Sequence, residues 1–451
     1  MCLNSDGSSW KARPSALSPI TRCRLPISAA ARRSGAAAAS MRPRQADRRI
    51  EAVEQRRRTM QTRSMAAVVA AAVASLWAGS ASGQDLALGY LPSGAGPFAT
   101  FSKTNEIAAQ IAIDEINAAG GIAGKRLRIV GFDTAGKPDQ AVVGVRKLAD
   151  DDKVLAIIGP FSSSECRVVF PAADRAGVVS MSMASSAPKL AEPFQYAFRN
   201  TSDEGYMFDR VMRALKQKNL PIATAAIAYA TDDVISKVMG ENVLPGIMKK
   251  AGTDVKLSVT FQSQAFDFSA QVSQLVAQPT DLIGVGSGPE PAIRLAQELR
   301  RQGHKGRLVA GSTIADPELG RQMGKAGDGT TIPTTFYADL NDRTKAFQAE
   351  FAKRAKAAGL DRTTAAQFDA AAYDIVLFYA NAMKQAKITG DPSKLAAERT
   401  AIKDELRKMK DFPALEGAIS FGSNGDALKP VYVIQFQDEK PNLIGQFAPE
   451  T

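Results

Sequence analysis

The stretch 120-GGIAGKRLRIVGFD-133 decides the fold class, because it joins the end of a helix to the start of a strand. Gly120 and Gly121 are typical of a helix end, since glycine adopts the left-handed backbone without steric cost. Leu127–Asp133 then predicts a strand. Apolar residues recur at helical spacing before the two glycines, at Ile107, Ala108, Ile111, Ala112 and Ile116.

The same helix and strand signals alternate along the rest of the chain, as in a parallel α/β fold. A first set of strands is predicted at residues 86–91, 127–133, 154–158 and 178–181. A second set follows at residues 222–229, 255–261, 282–285 and 308–310, with helices near 234–250, 267–278, 290–302 and 363–386. Each set has about the size of one domain, so the sequence predicts two α/β domains.

Residues 1–83 are expected to form a leader rather than part of a folded domain. Behind a short basic region, Ala66–Ala78 has the length of a secretory signal peptide and is short for a bilayer span. Ala81–Gly83 offers small residues for cleavage. Met60 is the predicted start, and a longer twin-arginine leader around Arg56–Arg58 is the alternative. Both alternatives predict an exported protein.

The formal net charge of +11 comes almost entirely from this N-terminal segment. Residues 1–83 carry 14 basic and 4 acidic side chains, which leaves residues 84–451 at about +1. We therefore expect no strongly basic surface for nucleic acid or anionic membranes. Cys166 is the single cysteine after residue 83, so no disulfide is expected within the exported chain.

Three segments carry a resemblance to a known family: GYLP at 89–92, the stretch 120–133, and IIGPFSSSE at 157–165. They resemble the opening of the leucine/isoleucine/valine-type periplasmic solute-binding proteins, the receptors of ABC importers. The likeness continues to about residue 440. It implies a type I fold of two α/β lobes, each a parallel β-sheet flanked by helices, with a ligand cleft between them.

The resemblance also implies three hinge crossovers between the lobes. They are expected near Thr201–Gly205, near Pro333–Phe336 and within Gly422–Pro430. Lobe 1 is accordingly predicted at residues 84–202 plus 335–425, and lobe 2 at residues 203–334 plus 426–451.

Two serine-rich loops of the first lobe are predicted to bind a carboxylate. Ser162 and Ser163 precede a helical stretch, where serine commonly caps backbone N–H groups, but a helix N-terminus also binds anions. The resemblance favours the second role and matches Ser163 to the serine that holds the ligand carboxylate in the family. In the other loop, Ala184, Ser185 and Ser186 resemble the family segment that meets the ligand.

Aromatic residues are predicted to line the cleft. Phe101 falls where relatives often place an aromatic ring over the ligand, and Tyr229 is a further wall candidate. Core packing is the alternative role at both positions, and it is the more common role for a residue placed like Tyr229.

The second lobe departs from the amino-acid-binding pattern of the family. Thr313 aligns with the family Glu that pairs with the ligand ammonium, and Ser287 aligns with an aromatic residue. Losing about 3 kcal/mol at the ammonium would weaken α-amino acids over a hundredfold. Asp232 or Asp233 is the alternative anion, and Asp232 is also a candidate acceptor for a phenolic hydroxyl. The alternative interpretation of Asp232 and Asp233 is that each caps a helix at the solvent-exposed surface.

Catalytic and metal-binding patterns are weak. The single histidine, His304, is expected at the surface, and no His/Cys cluster suggests a metal or cofactor. Ser186–Lys189 spells S-x-x-K without the accompanying K-T-G or S-D-N elements. GGIAGK resembles a phosphate-binding loop only loosely, because its glycine spacing is one short and Arg126 replaces Ser or Thr. The sequence therefore predicts a receptor without catalytic residues.

The predicted function is a periplasmic receptor that binds a small carboxylate-bearing solute and delivers it to an ABC permease and ATPase complex. An aromatic or other amine-free acid is favoured, and a branched-chain amino acid or an amide is the alternative. A ligand-sensing protein of the same fold is the alternative from a different class. The protein is expected to be a monomer without cofactor or nucleic-acid partner.

Overall fold

The first sheet carries the amino-terminal strands. A computed structural model describes residues 85–96 and 98–450, so the predicted leader and start at Met60 lie outside the described residues. Five parallel strands pair in the order β2-β1-β3-β4-β5. Their bounds are β1 Leu86–Tyr90, β2 Leu127–Gly131, β3 Ala156–Ile158, β4 Val179–Ser182 and β5 Ala197–Arg199.

Six helices accompany this sheet. They are α1 Ala99–Ala118, α2 Pro138–Arg146, α3 Ser163–Arg175, α10 Asp342–Ala357, α11 Gln367–Gln385 and α12 Leu395–Lys408. Helix α11 packs along α1 and against β3, and both helices are apolar on several sides because they are buried. A small antiparallel sheet of β11 Phe412–Ala414, β12 Gly417–Phe421 and β13 Ala427–Leu428 lies beside α12.

The second sheet has seven strands in the order β15-β14-β10-β9-β8-β6-β7. Its parallel part is β6 Thr224–Ala230, β7 Asp254–Phe261, β8 Leu282–Gly286, β9 Arg307–Ala310 and β10 Thr331–Thr334. The antiparallel strands β14 Val431–Gln437 and β15 Lys440–Phe447 complete it. Its helices are α4 Glu204–Gln217, α5 Val234–Val238, α6 Leu244–Lys250, α7 Ser269–Ala277, α8 Pro289–Arg301 and α9 Leu319–Met323.

The predicted α/β fold class is confirmed, with differences at several element bounds. The helix predicted at 234–250 is divided by a π-helical turn at Met239–Val243. The helix predicted from residue 363 begins at Gln367, because the amide of Ala366 donates to the Asp369 carboxylate at 2.7 Å. No helix among residues 85–96 and 98–450 is long and apolar enough to cross a membrane.

The chain passes between the two sheets three times, at residues 200–203, 335–341 and 429–430. Strand β13 still pairs with β12, so the third passage lies a few residues after the predicted lobe boundary at 425. The predicted residue ranges of the two lobes therefore stay a proposal. α/β proteins bind their ligands at the carboxyl ends of parallel strands. The loops after β1, β3, β4 and β9 are therefore the candidate ligand-binding loops.

Candidate ligand-binding cleft

Helix α3 begins with a capping box that draws three loops together. The Ser162 hydroxyl accepts the Glu165 amide at 3.2 Å and donates to its carboxylate at 2.7 Å. The same carboxylate is fully buried and accepts hydrogen bonds from Ser93 at 2.8 Å and from Thr134 at 2.5 Å. The Ser162 hydroxyl is thus used to cap α3, and a contact between Ser162 and the ligand stays a prediction.

The first turn of α3 lies against the second predicted loop. The buried Ser163 hydroxyl accepts the amide of Ala187 at 3.4 Å. The Ser182 hydroxyl accepts the amides of Ala184 at 3.3 Å and Ser185 at 3.0 Å, which fixes the turn. The buried Ser185 hydroxyl lies beside the Cys166 thiol and has no nitrogen or oxygen partner among the described residues. Because buried hydroxyls are normally paired, this orphan suits a ligand-binding position.

A carboxylate that the sequence analysis missed lies beside this loop. Glu204 is fully buried at the first position of α4 and accepts the Ser186 hydroxyl at 3.0 Å. It also accepts the Ser312 amide at 2.9 Å and the Ser312 hydroxyl at 2.5 Å. Burial raises the pKa of Glu204, although these donors oppose the shift. Next to Ser312, the predicted Thr313 has a buried hydroxyl without a partner in the described chain.

A cavity of about 930 Å³ lies between loops of the two sheets. The first-sheet side supplies residues around 96–104 and 360–362. The second-sheet side supplies residues around 233–236, 263–264, 288–294 and 316–322. Two predicted residues of the described chain line this cavity, Phe101 and the alternative anion Asp233. The Asp233 carboxylate accepts the Ser236 amide at 2.9 Å as the cap of α5, which is the helix-cap role also considered for it.

Four phenylalanines pack together on the first-sheet side, and two of them, Phe98 and Phe101, line the cavity. The Phe101 ring stacks on Phe161 at 5.3 Å and meets Phe368 edge-on at 5.1 Å. Phe98, which also lines the cavity, lies 5.1 Å from Phe161. Since Phe161 immediately precedes Ser162, this aromatic cluster reaches the start of α3.

Charged residues on the cavity wall are mostly paired. Arg362 lies 5.0 Å above the Phe101 ring and forms an ion pair with Asp369 at 2.7 Å. Asp316 accepts the Glu318 amide at 2.8 Å, and burial raises its pKa while Arg362 opposes the shift. Asp316 follows β9 in the same loop as Thr313 and lines the cavity, so its carboxylate is a candidate second-sheet anion for the ligand. Alignment with the family pattern indicated Thr313 and did not identify Asp316.

The other predicted residues lie outside this cavity. Tyr229 is half-buried with its ring against Gly240, where any Cβ would clash. Asp232 is exposed and binds the Ser263 amide and hydroxyl, both at 2.8 Å. Ser287 is fully buried and donates to the carbonyl of Gly288 at 2.9 Å. Their roles in binding stay predictions.

The expectation that His304 lies at the surface is wrong. Its side chain is buried, and Nδ1 accepts the amide of Gly306 at 2.9 Å, so the ring closes the turn before β9. Burial, and secondarily Arg300, lowers the pKa of His304. Burial likewise raises the pKa of Cys166 to about 12, which disfavours a thiolate. Within residues 85–96 and 98–450 no cluster of His, Cys, Asp and Glu has the arrangement of a metal site.

All three passages between the sheets meet at one buried ion pair. Lys429 donates to Glu416 at 2.5 Å, and both side chains are 0% exposed. Lys429 also donates to the carbonyl of Asn200 at 2.9 Å, and Thr335 donates its hydroxyl to Glu416. Asn200, Thr335 and Lys429 come from the first, second and third passages, so Glu416 connects them at the hinge.

The sequence model described as periplasmic binding protein matches residues 86–441. The chain belongs to the periplasmic binding protein family. More narrowly, it is a type I periplasmic binding protein of the leucine/isoleucine/valine-binding kind. Members of this family are receptors for small molecules that work with ABC transporter permeases.

Relatives differ in the ligands named for them. The amino acid binding protein of Pseudomonas aeruginosa is 26% identical over 263 residues, covering 56% of this chain and 68% of the relative. The structure of LivJ from Streptococcus pneumoniae in complex with isoleucine has a TM-score of 0.70 and 23% identity, over 80% of this chain and 99% of LivJ. A solute-binding protein from R. palustris in complex with benzoate has a TM-score of 0.69 and 17% identity, over 81% and 97%. At these identities the two structures bear on the fold alone.

Proposed function

We propose that this periplasmic binding protein is the receptor of an ABC importer for a small carboxylate-bearing solute, with an aromatic or other amine-free acid favoured. The observation that carries the proposal is the pair of phenylalanines on the wall of the interlobe cavity, Phe98 and Phe101, which both pack on Phe161 just before α3. An aryl ring stacks favourably on such a surface. The benzoate bound to the structurally similar R. palustris protein is in keeping with this ligand class.

In this proposal the ligand carboxylate docks at the start of α3 and on the loop after β4. Ser163 and the segment Ala184–Ser186 supply backbone N–H groups and hydroxyls there, and the orphan Ser185 hydroxyl gains an acceptor. The positive end of α3 favours an anion. Thr313 and Ser287 approach from the second sheet as the lobes close. Ligand that binds the closed form more tightly shifts the open–closed equilibrium, and the closed form delivers its cargo.

In the same proposal the protein acts in the periplasm, as a monomer, with a permease and an ATPase as partners and without enzymatic turnover of its ligand. Unchanged ligand recovered after incubation with the purified protein supports a receptor, whereas accumulation of a product would contradict it.

An amino acid is the second candidate ligand, and Asp316 is the observation that favours it. This carboxylate lines the cavity, and burial raises its pKa, so a ligand ammonium would relieve an energetic cost. The named ligands of several relatives, isoleucine among them, agree with this candidate.

Calorimetric titration with benzoate and leucine separates the two candidates. The favoured proposal predicts that benzoate binds and leucine does not, and that Asp316→Asn leaves benzoate affinity unchanged or improves it. The second candidate predicts that leucine binds and that Asp316→Asn weakens it about a hundredfold, the effect of about 3 kcal/mol. Asp361→Asn is the matched control, because Asp361 lines the same cavity but is exposed. Failure of every aryl acid, keto acid and amino acid to bind would contradict both.

A further inference from the structure

Glu204 lies where loops from the two sheets meet. Its carboxylate accepts the Ser186 hydroxyl at 3.0 Å from the loop after β4 of the first sheet. It accepts the Ser312 amide at 2.9 Å and the Ser312 hydroxyl at 2.5 Å from the loop after β9 of the second sheet. Gly311 permits this approach, because a Cβ there would collide with the Glu204 carboxylate. Glu204 therefore joins the two loops directly.

Ser312 is also held from the opposite side. Its carbonyl accepts the Gln367 side-chain amide at 3.3 Å, and Gln367 begins α11 beside the first sheet. The Gln367 side-chain oxygen in turn accepts the Thr335 amide at 2.9 Å, at the second passage between the sheets. The Ser312 carbonyl thus takes part in a contact between the sheets, while its amide and hydroxyl hold Glu204, which in turn bonds Ser186 of the first-sheet loop. We call Ser186, Glu204, Ser312 and Gln367 the seam.

We propose that Glu204 is a positioning residue for ligand binding, because its carboxylate holds the loop of Ser186 and the loop of Ser312 and Thr313 together and so favours the closed cleft. Assigning these loops to the ligand rests on the proposed function. The effect of the seam on closure does not, because it follows from the hydrogen bonds alone.

Opening the cleft removes hydrogen-bond donors from groups that stay buried. A fully buried carboxylate needs donors, and hydrogen bonds to a charged group are stronger than neutral ones. Moving the first-sheet loop away removes the Ser186 donor from Glu204, and moving α11 away removes the Gln367 donor from Ser312. The seam is complete with the lobes together, so its bonds favour that arrangement even before ligand arrives. A smaller part of the ligand's binding free energy is then needed to close the cleft.

The test compares Glu204→Gln and Ser312→Ala with Glu398→Gln. Glutamine keeps the shape of Glu204 but loses its charge, and Ser312→Ala removes one donor with little risk to folding. Glu398 is the matched control, because its buried carboxylate also accepts several bonds, from Thr389 and Gly390, within the first-sheet side. Small-angle X-ray scattering of the ligand-free proteins measures the opening, and calorimetry with the ligand identified above measures affinity.

We expect both seam variants to have a larger radius of gyration than the wild type without ligand and to bind about tenfold more weakly. The Glu398→Gln control is expected to melt at a lower temperature while its radius of gyration and affinity stay unchanged. Folded seam variants with wild-type scattering would overturn the proposal. Because the scattering needs no ligand, that result is distinct from a failure of the proposed ligand class, which appears as an absence of binding in the wild type.

Discussion

Because of the buried ion pair at the hinge, we expect Lys429→Met to lose much of the stability of the fold. Lys429 and Glu416 are 0% exposed and 2.5 Å apart, and methionine keeps most of the side-chain length without the charge. Removing one partner leaves a buried carboxylate without its cation, so we expect the free energy of unfolding to fall by about 3–5 kcal/mol at pH 7. Urea unfolding followed by circular dichroism measures the loss.

The sign of the pH dependence follows from Glu416. Its pKa is raised by burial, and Lys429 opposes that shift, so the variant raises the folded-state pKa of Glu416 further above its unfolded value. A carboxyl of this kind stabilises the fold while protonated and loses that contribution as pH rises through the folded pKa. The difference in stability between wild type and variant is therefore expected to widen from pH 5 to pH 8.

Two further variants serve as controls for this prediction. Replacing both partners, Lys429→Met with Glu416→Gln, removes both charges and is expected to recover most of the stability. Lys353→Met breaks an exposed pair with Glu350 and is expected to cost less than about 1 kcal/mol. A loss below about 1 kcal/mol for Lys429→Met, or a double variant less stable than the single one, would refute the reasoning.

Two more predictions concern a buried carboxyl and a turn. Burial, and then Glu416, raises the pKa of Asp374 to about 7. The contribution of Asp374 to the free energy of unfolding therefore falls as pH rises from about 4 to about 7. Urea unfolding of Asp374→Asn across this range should show a flatter pH dependence than the wild type. Gly120 and Gly121 both have positive φ, but only at Gly121 would a Cβ collide with the Lys125 carbonyl. Gly121→Ala should therefore lower the melting temperature more than Gly120→Ala, and an equal effect would contradict the clash argument.

The alternation of strands and helices could be predicted because it depends on local patterns. The stretch 120–133 shows this directly: Gly121 has φ of 72°, its amide bonds the Ile116 carbonyl at 2.9 Å to close α1, and β2 begins at Leu127. Strands β5 and β10 were missed, since segments of three and four residues carry little periodicity. Strands β11 to β15 were missed as well, including the longer β14 and β15 of seven and eight residues.

The candidate site was harder to predict because its residues meet only through the crossovers. Glu204 and Ser312 are separated by 108 positions, and neither belongs to a local motif that indicates a shared hydrogen bond. Ser162 shows the opposite problem, since its local signal fits both a helix cap and an anion site and the structure assigns its hydroxyl to the cap. For His304, a polar neighbourhood suggested exposure, but the fold turns the ring inward onto Gly306.

The most direct measurement is a thermal-shift titration of the purified protein with benzoate and its uncharged counterpart benzamide, beside leucine and a panel of keto acids. The account predicts a saturable rise with benzoate or another aryl acid, worth about 2.7 kcal/mol of stability at about 100 times the dissociation constant. It predicts no shift with benzamide, because the carboxylate is the group that α3 and the loop Ala184–Ser186 recognise. Stabilisation by leucine alone would contradict the amine-free ligand, and the absence of a shift with every carboxylate-bearing compound would contradict the receptor function itself.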